Sequence, residues 1–587
     1  MNLHQLPRTF RTVRHLKWSQ VACRVQRMAE RRLPWANRVP RPKSSAWRGS
    51  IAWETLPAVP LFETPEQSPQ ELLDDLEQGQ FRHLNQSKSI GRSPADWQLG
   101  PRDRDRLWTV TLHYHRWAFD LAGLVVAGGA ESARAESLLV DWLSDWIRSC
   151  PVTDPAARHL AWNAYAIATR IGWWVRSLTL LGRGFIDRHP DFAPRMLASL
   201  RQQARFLEDN IEWDLRANHL MRDFVGLAWA GRVFPGHHAE NWLTMAGDGA
   251  VAQADEQILS DGGHFERSPL YHLQIMDDLI AVRSLVDDVE TRARLDAAWQ
   301  QMATFAQWMR HPDGGLPQFN DSAAFGHGTP ERMFEIGRTL GLGDFRSMPG
   351  GARHFEETGF VAWHGPRWTV FFDVGPVGPD YQPGHAHADT LTIEASVNGR
   401  RLFVDPGTCA YDHDERREYD RSTAAHNTVC IDGQNSSEVW HIFRVGHRAL
   451  PLDVDVQFAP GAMRACGSHD GYDRLPGCPR HSRTVCVEDN GELTVTDRID
   501  GRGEHVVEGG FLLAPEWEAC PIDDGWELTD GTQRLHLLVS ADAALQRTIE
   551  RRPWHPEYGR EVQTTRLTWR HQGAVPLQVE CRVVDVD

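Results

Sequence analysis

Two spacings of hydrophobic residues divide the chain. From about residue 106 to 345 apolar side chains recur every three to four positions, the period of an amphipathic helix, and Leu138, Leu139, Trp142, Leu143 and Trp146 mark one such face. Asp154-Pro155 then offers an N-cap and a first-turn proline, and Ile167, Ile171, Trp174, Leu178 and Leu181 form a further face that Gly182 ends. Met196, Leu197, Leu200, Ala204 and Leu207 continue the series. Successive helical hairpins predict a stacked or toroidal array whose loops carry function. The period changes at SMPGGARHFEETGF, residues 347–360. Beyond it, alternating runs predict strands at 368–374, 390–404, 428–432, 450–456, 484–500 and 506–513, the pattern of a large antiparallel β-sandwich. No short-period repeat links the halves. The expectation is an α+β, multidomain chain: a basic arm and connector over 1–105, a helical domain over 106–348 and an antiparallel β-sandwich over 349–587.

Composition narrows the classes. With 41% hydrophobic and 24% charged residues, and no apolar run of transmembrane length, the chain reads as a globular protein. Its 24 Trp against 8 Tyr suit interhelical packing, or a groove whose indoles stack on sugar rings. Nine cysteines without CxxC pairs, seven of them after residue 400, suit free buried thiols rather than a disulfide framework. The net charge of −16 is uneven: the first 50 residues hold twelve Lys/Arg against the single acid Glu30, near +11, which leaves about −27 for the remainder. Phe10, Val13, Leu16, Val21, Val25 and Met28 are interleaved with those charges, as in a helix packed on an acidic body or one in peripheral contact with an anionic membrane. Nucleic acid is not expected, given the acidic remainder and the lack of a recognition module. The opening MNLHQLPRTFRTVRHLKWSQ shows neither an uninterrupted apolar core nor a small-residue cleavage site. The expected location is therefore cytoplasmic or at the inner membrane, with the periplasm left open.

Candidate chemistry concentrates in 384–440, GHAHADTLTIEASVNGRRLFVDPG through RSTAAHNTV to EVW. His385, His387, Asp405 and His426 are metal-ligand types. If 390–404 is two strands joined at Asn398-Gly399, the neighbouring His385 and His387 point the same way, and N/O ligands converging there suit zinc better than calcium, for which imidazole is a poor ligand. Two motifs interrupt the helical series: Asn218-His219-Leu220, and DGGHFERSPLYH at 261–272, which leaves Glu266, Tyr271 and His272 on a turn or helix start. Helix-cap and loop roles are the alternative for both.

Taken together, NHL at 218–220, DGGHFERSPLYH, PQFNDSA at 317–323 and nearly all of 384–447 resemble the heparinase II/III family of polysaccharide lyases, especially the heparinase-like proteins of bacterial surface-polysaccharide clusters. The resemblance extends to LHYHRW near 112 and to the Arg-rich start, and so covers most of the chain. It implies an incomplete (α/α) toroid followed by an antiparallel β-sandwich, and cleavage of a uronic-acid-containing polysaccharide by β-elimination. In that reading Asn218 and His219 neutralise the uronate carboxylate, while Tyr271 serves as base or as acid to the leaving O4 with His385 opposite it. His387, Asp405 and His426 hold one structural divalent metal, zinc by preference, and Glu266, His272, Tyr419 and Arg421 approach the substrate. The chemistry suits these residue types, because the proton α to the carboxylate is acidic enough to remove only once the carboxylate is neutralised.

Departures are visible too. Arg222 and Asp223 stand where family members often carry Glu and Asn, and Arg222 reads as a surface helix residue. A cupin-like metalloenzyme would want Glu four or five residues after His-x-His, where this chain has Leu391 and Thr392. A glycoside hydrolase on the same toroid would need two carboxylates, with Asp261 and Glu266 as candidates. A non-catalytic protein that binds acidic polysaccharide or serves its biosynthesis is the remaining class.

Overall fold

The computed structural model describes residues 6–32, 51–52, 56, 58–92, 94–99, 105–323, 328–489 and 491–586, so the stretch 33–50 of the expected basic arm lies outside the described residues. Two compact units divide the chain. One comprises Lys17–Glu256 with Gln274–Trp299, the other Met1–Leu16, Gln257–Leu273 and Gln300–Asp587.

The first unit is mainly helical, with helices that include Ser132–Ser149, Ala164–Arg188, Ala193–Asp209 and Ala217–Val233 beside one two-stranded hairpin, Gln80–His83 with Gln86–Ser89. The face predicted over 136–148 is buried through Leu138, Leu139, Trp142, Leu143 and Trp146. Asp154 caps a helix as expected, accepting from the Ala156 N–H at 3.0 Å, but that helix closes at Leu160. Asn163 caps a new one, Ala164–Arg188, which carries the buried Ile167, Ile171, Trp174 and Leu178. Gly182 breaks its backbone with φ of 65°. At Gly226 the absence of a side chain matters, since a Cβ there would lie 2.6 Å from Ala168 Cα. The helix Ala217–Val233 thereby approaches Ala164–Arg188 closely, which sets the start of the former, with Asn218 and His219, beside Tyr165.

The second unit holds antiparallel sheets. A five-stranded sheet runs Gly351–Phe355, Phe360–His364, Trp368–Asp373, Ile393–Val397 and Arg400–Phe403 in that order. Its last hairpin turns at Asn398 and Gly399, with φ of 48° and 82°, the two positive values that a two-residue turn matched to the strand twist requires. The run expected at 484–500 is two strands, Arg480–Glu488 and Leu493–Asp500, paired from Arg480↔Asp500 to Val487↔Leu493 within an eight-stranded sheet. A four-stranded sheet includes Val429–Ile431 beside Glu504–Leu512. Alternate residues such as Val485, Val487, Val495 and Ile499 enter one continuous core with Trp368, Phe372, Ile393 and Phe511.

Among the described residues at least twelve tryptophans are fully buried, which assigns those to packing rather than to a sugar-binding groove. All nine cysteines are free, but Cys478 and Cys520 are exposed, contrary to the expected burial. Among the described residues no helix is long and apolar enough to cross a membrane.

Candidate functional site

The site is assembled from three stretches of the sheet-rich unit, 261–272, 317–323 and 384–426. In the first, Asp261 accepts from the Thr358 hydroxyl at 2.6 Å, the Thr358 N–H at 2.7 Å and the Gly263 N–H at 3.1 Å. Its carboxylate is thus occupied in holding the turn. A Cβ on Gly263 would strike Thr358, so only glycine fits there. Ser268 Oγ accepts from the Tyr271 N–H at 3.3 Å and donates to the Asp321 carbonyl at 2.7 Å, which ties the start of the Tyr271 helix to the second stretch.

The His385-Ala386-His387 segment is a loop preceding the strand Ile393–Val397, not part of it. The two imidazoles therefore do not share a strand face. They converge instead on one carboxylate: His385 Nδ1 donates to Asp321 Oδ2 at 2.9 Å and His387 Nε2 to Asp321 Oδ1 at 2.8 Å. Arg417 caps the same carboxylate with two N–H groups, one of them at 2.9 Å from Oδ2. Burial alone would raise the Asp321 pKa, but the Arg417 charge and the two imidazole hydrogen bonds outweigh it and hold the group well below the usual carboxylate range. Arg421 braces the loop from behind, its Nε and Nη2 donating to the Ala386 carbonyl at 3.1 and 2.9 Å and its Nη1 to the His441 carbonyl at 2.9 Å. That guanidinium is buried and faces backbone carbonyls.

Tyr271 and His385 stack, ring centroids 3.8 Å apart and 24° from parallel. The Tyr271 hydroxyl lies 2.9 Å from that of Tyr411, which lies 2.5 Å from that of Tyr558. Burial raises the pKa of both Tyr411 and Tyr558, so both are neutral phenols able to donate along the chain toward Tyr271. Glu266 is buried with Oε1 3.8 Å from His385 Nε2. His272 sits in the core, its Nε2 donating to the Met302 carbonyl at 2.9 Å and its ring against Phe305, while burial lowers its pKa to about 4. The Tyr419 hydroxyl donates to the Pro553 carbonyl at 3.3 Å, and burial pushes its pKa up to about 12.

His387, Asp405 and His426 come together, each fully buried, with one ligand-type atom apiece within 4.8 Å of the others. His387 gives Nε2 to Asp321, and His426 gives Nδ1 to Asp405 Oδ2 at 2.8 Å. His387 Nδ1, His426 Nε2 and Asp405 Oδ1 are then buried without a hydrogen-bond partner. Burial lowers the two imidazoles to about 3 and about 4, the neutral ligand form. The same burial, with Glu394 nearby, raises the Asp405 pKa in the absence of a cation. Two imidazoles and a carboxylate whose ligand atoms lie this close fit a divalent metal, which would take the place of the His426–Asp405 hydrogen bond.

In the helical unit, His219 Nδ1 donates to Glu212 Oε2 at 2.9 Å and its ring packs 4.9 Å from that of Tyr165. Asn218 is buried beside it. Arg222 is no surface residue. Its guanidinium meets the buried Asp278 carboxylate at 2.9 Å and lies 5.8 Å from the Tyr165 ring centroid. Asp223 is buried too, accepting from the Glu212 N–H at 2.7 Å.

Comparison with known proteins decides the family. The description "Heparinase II/III N-terminus" matches residues 70–335, and "Heparinase II/III-like, C-terminal" matches 347–582. The chain belongs to the heparinase II/III-like family. A heparin-sulfate lyase of Bacteroides thetaiotaomicron is 23% identical over 464 residues, 71% of this chain and 63% of that protein, so the chain spans less than two thirds of that relative's length. The FtsZ-localized protein C of Caulobacter vibrioides is 25% identical over 281 residues, 47% of this chain and 44% of that protein. A crystal structure of heparinase III superposes with a TM-score of 0.74 at 18% identity, covering 99% of this chain and 94% of that one. The heparinase II/III-like fold, a helical toroid followed by a large antiparallel β-sandwich, is therefore the fold of this chain.

Asp321, Arg417, Tyr411, Tyr558 and Glu212 are site residues that no sequence motif above marks for a role. Asp321 stood within PQFNDSA, and an acid flanked by polar residues in a family-like phrase was the available clue. Arg417 and the two tyrosines carry no local pattern that marks them.

Proposed function

We propose that the chain is a polysaccharide lyase that cleaves a uronic-acid-containing polysaccharide by β-elimination, with Tyr271 and His385 as its acid–base pair. The observation that carries this reading is the Asp321 hydrogen bond to His385 Nδ1, 2.9 Å long, on an imidazole stacked against the Tyr271 ring. A carboxylate at Nδ1 fixes the tautomer that leaves Nε2 as the basic nitrogen, and it stabilises the imidazolium formed when Nε2 takes a proton. In the elimination the C5–H bond breaks, its electrons form the C4–C5 double bond, the C4–O4 bond breaks, and O4 leaves with a proton. One member of the pair removes the C5 proton and the other supplies the proton to O4. Tyr411 and Tyr558, as neutral donors, favour a transient tyrosinate at Tyr271 and so allow it either role.

The rings are in contact, so a sugar ring does not fit between them, and Tyr271 and His385 act from one side of the substrate. That arrangement suits syn removal of H5 and O4, the relation found in a glucuronate residue. Carboxylate neutralisation is assigned to Asn218 and His219 on the family resemblance. The Glu212 contact supports it for His219, since a carboxylate accepting from Nδ1 holds the ring in one orientation. A divalent ion held by His387, Asp405 and His426, zinc by its donor set, would supply a fixed charge tying the His385 loop to the neighbouring strands. Family relatives named as heparin-sulfate lyases support the substrate class, an acidic polysaccharide. The test is the ultraviolet absorbance of the conjugated C4–C5 double bond during incubation with uronate polymers. A rise is expected, and reducing ends appearing without it would mean hydrolysis instead.

A second reading, a non-catalytic acidic-polysaccharide-binding or biosynthesis protein, draws on the match to a relative named for its localisation rather than for a reaction. Polymer binding with no change in absorbance on any polymer, the native surface polysaccharide included, would favour it.

A further inference from the structure

The phrase FRVGH at 443–447 belongs to the family-like stretch, yet the acid–base pair makes no use of it. It begins in a two-stranded hairpin of the sheet-rich unit, Val439–Trp440 with Arg444–Val445, whose turn is His441, Ile442 and Phe443. Two buried guanidiniums hold this hairpin by its backbone. Arg417 donates from Nε and Nη2 to the Ile442 carbonyl at 3.1 and 2.9 Å. Arg421 donates from Nη1 to the His441 carbonyl at 2.9 Å and from Nη2 to the Arg444 carbonyl at 3.3 Å. The same Arg417 caps Asp321, and the same Arg421 braces Ala386. Turn and reactive histidine are therefore fixed to one another through shared donors. His441 has φ of 53°, a left-handed value unfavourable for a residue with a Cβ, and the bond from Arg421 to its carbonyl helps to offset that cost.

With these carbonyls given to buried donors, the turn presents side chains to solvent. Phe443 is 42% exposed, and His441 and Arg444 are exposed beside it. The Phe443 ring centroid lies 6.2 Å from that of His385 and 5.0 Å from that of Tyr411, so it extends the wall of rings that begins with the Tyr271 stack. The Arg444 guanidinium lies 4.8 Å from the Trp440 ring centroid, a contact that leaves its charge uncancelled. Burial and then the charges of Arg444, His413 and Arg421 lower the His441 pKa, so the charges felt by that ring are cations. The chain as a whole is at −16 and repels a polyanion, so an acidic polymer needs a local cationic face of this kind.

We infer that this turn is a substrate subsite beside the acid–base pair, in which the Phe443 ring carries the apolar face of a sugar while Arg444 and His441 take that sugar's anionic group, a carboxylate or a sulfate. The role rests on the lyase reading for the nature of the polymer. An exposed phenyl ring matches the C–H face of a pyranose, and a platform already held by Arg417 and Arg421 loses little conformational freedom on binding. A guanidinium suits either anion because it offers two parallel donors.

The experiment compares Phe443→Ala and Arg444→Gln with the parent chain. Binding of heparan sulfate, hyaluronan and alginate oligosaccharides is measured by titration calorimetry in the Tyr271→Phe background, so that substrate is not consumed. Steady-state kinetics follow the C4–C5 absorbance without that background, and thermal unfolding checks the fold. Each variant is expected to bind about tenfold more weakly at an unchanged melting temperature, with the loss in kcat/KM carried by KM. Added salt should weaken the parent more than Arg444→Gln. A loss in Arg444→Gln on unsulfated and sulfated oligosaccharides alike assigns the anion to the carboxylate, and one confined to heparan sulfate assigns it to a sulfate. A parent-like dissociation constant in either variant, a loss matched by a lowered melting temperature, or a parent that binds none of the oligosaccharides would overturn the subsite. A parent that binds without any rise in absorbance would count against the lyase reading, and the ratios of dissociation constants would still decide the subsite.

Discussion

The two oxygens of the Asp321 carboxylate divide their partners, Oδ2 accepting from His385 Nδ1 at 2.9 Å and Oδ1 from His387 Nε2 at 2.8 Å. One buried acid thus orients both the proposed proton-transfer histidine and a proposed metal ligand, and Arg417 balances its charge. Replacing it with Asn should leave the buried Arg417 without its directly paired carboxylate, at a cost of about 3–5 kcal/mol in stability. The same change loosens the His385 tautomer. Denaturant unfolding of Asp321→Asn measures the first effect, and a variant as stable as the parent would contradict it.

The same carboxylate gives a pH dependence of definite sign. Its folded pKa is depressed, so its contribution to stability is complete above the unfolded carboxylate value near 4 and is lost as the pH falls from there through the folded value. Unfolding free energy followed from pH 6 downward should therefore begin to drop near pH 4 on this account, and the Asp321→Asn variant should show a shallower fall.

Tyr271→Phe keeps the ring that stacks on His385 and removes only the hydroxyl that meets Tyr411. Turnover should fall by about 10²–10⁴-fold, the usual worth of a positioned acid or base, with the melting temperature nearly unchanged. Near-normal turnover in this variant would remove Tyr271 from the chemistry.

A metal bound by the folded state alone stabilises it by mass action, by about 3 kcal/mol at a free concentration a hundred times Kd. Chelation should lower the melting temperature of the parent protein. His387→Ala should lower it at the outset and abolish the response to chelator, because it removes one of the three candidate ligands. Elemental analysis of the purified protein gives the independent readout, with one divalent ion per chain expected and none in the variant.

Stacked side by side, Tyr271 and His385 favour elimination with H5 and O4 on one face. Polymers of glucuronate should be cleaved at least about tenfold faster than those of its C5 epimer iduronate, in which the two groups lie on opposite faces, a barrier difference of roughly 1.4 kcal/mol. Equal rates measured by absorbance on matched oligosaccharides would show that the rings separate when substrate binds.

Local pattern carried much of the fold. Asn398-Gly399 marked its hairpin because only two positive-φ residues make that turn, and the 3–4 spacing over 136–148 marked a buried helical face. Non-local relations were not legible in the same way. His385 and His387 read as strand neighbours, yet their rings are set by an acid more than sixty residues away in the chain, and nothing around Asp321 gives its partner. Arg222 read as exposed because an arginine in a helix usually is. Its burial follows from Asp278, 56 residues on by their numbers, whose charge it answers. The helices Leu6–Val13 and Trp18–Arg32, which leave Phe10 and Trp18 exposed, show the same limit, since amphipathicity in sequence gives two faces but not which one meets the protein.

The most direct measurement is the ultraviolet absorbance of the purified chain incubated with heparan sulfate, hyaluronan, alginate, gellan-type polymers and the native surface polysaccharide. The account predicts a rise from the C4–C5 double bond on at least one glucuronate-containing polymer, lost in Tyr271→Phe. Shortened polymer with new reducing ends and no rise in absorbance would contradict it.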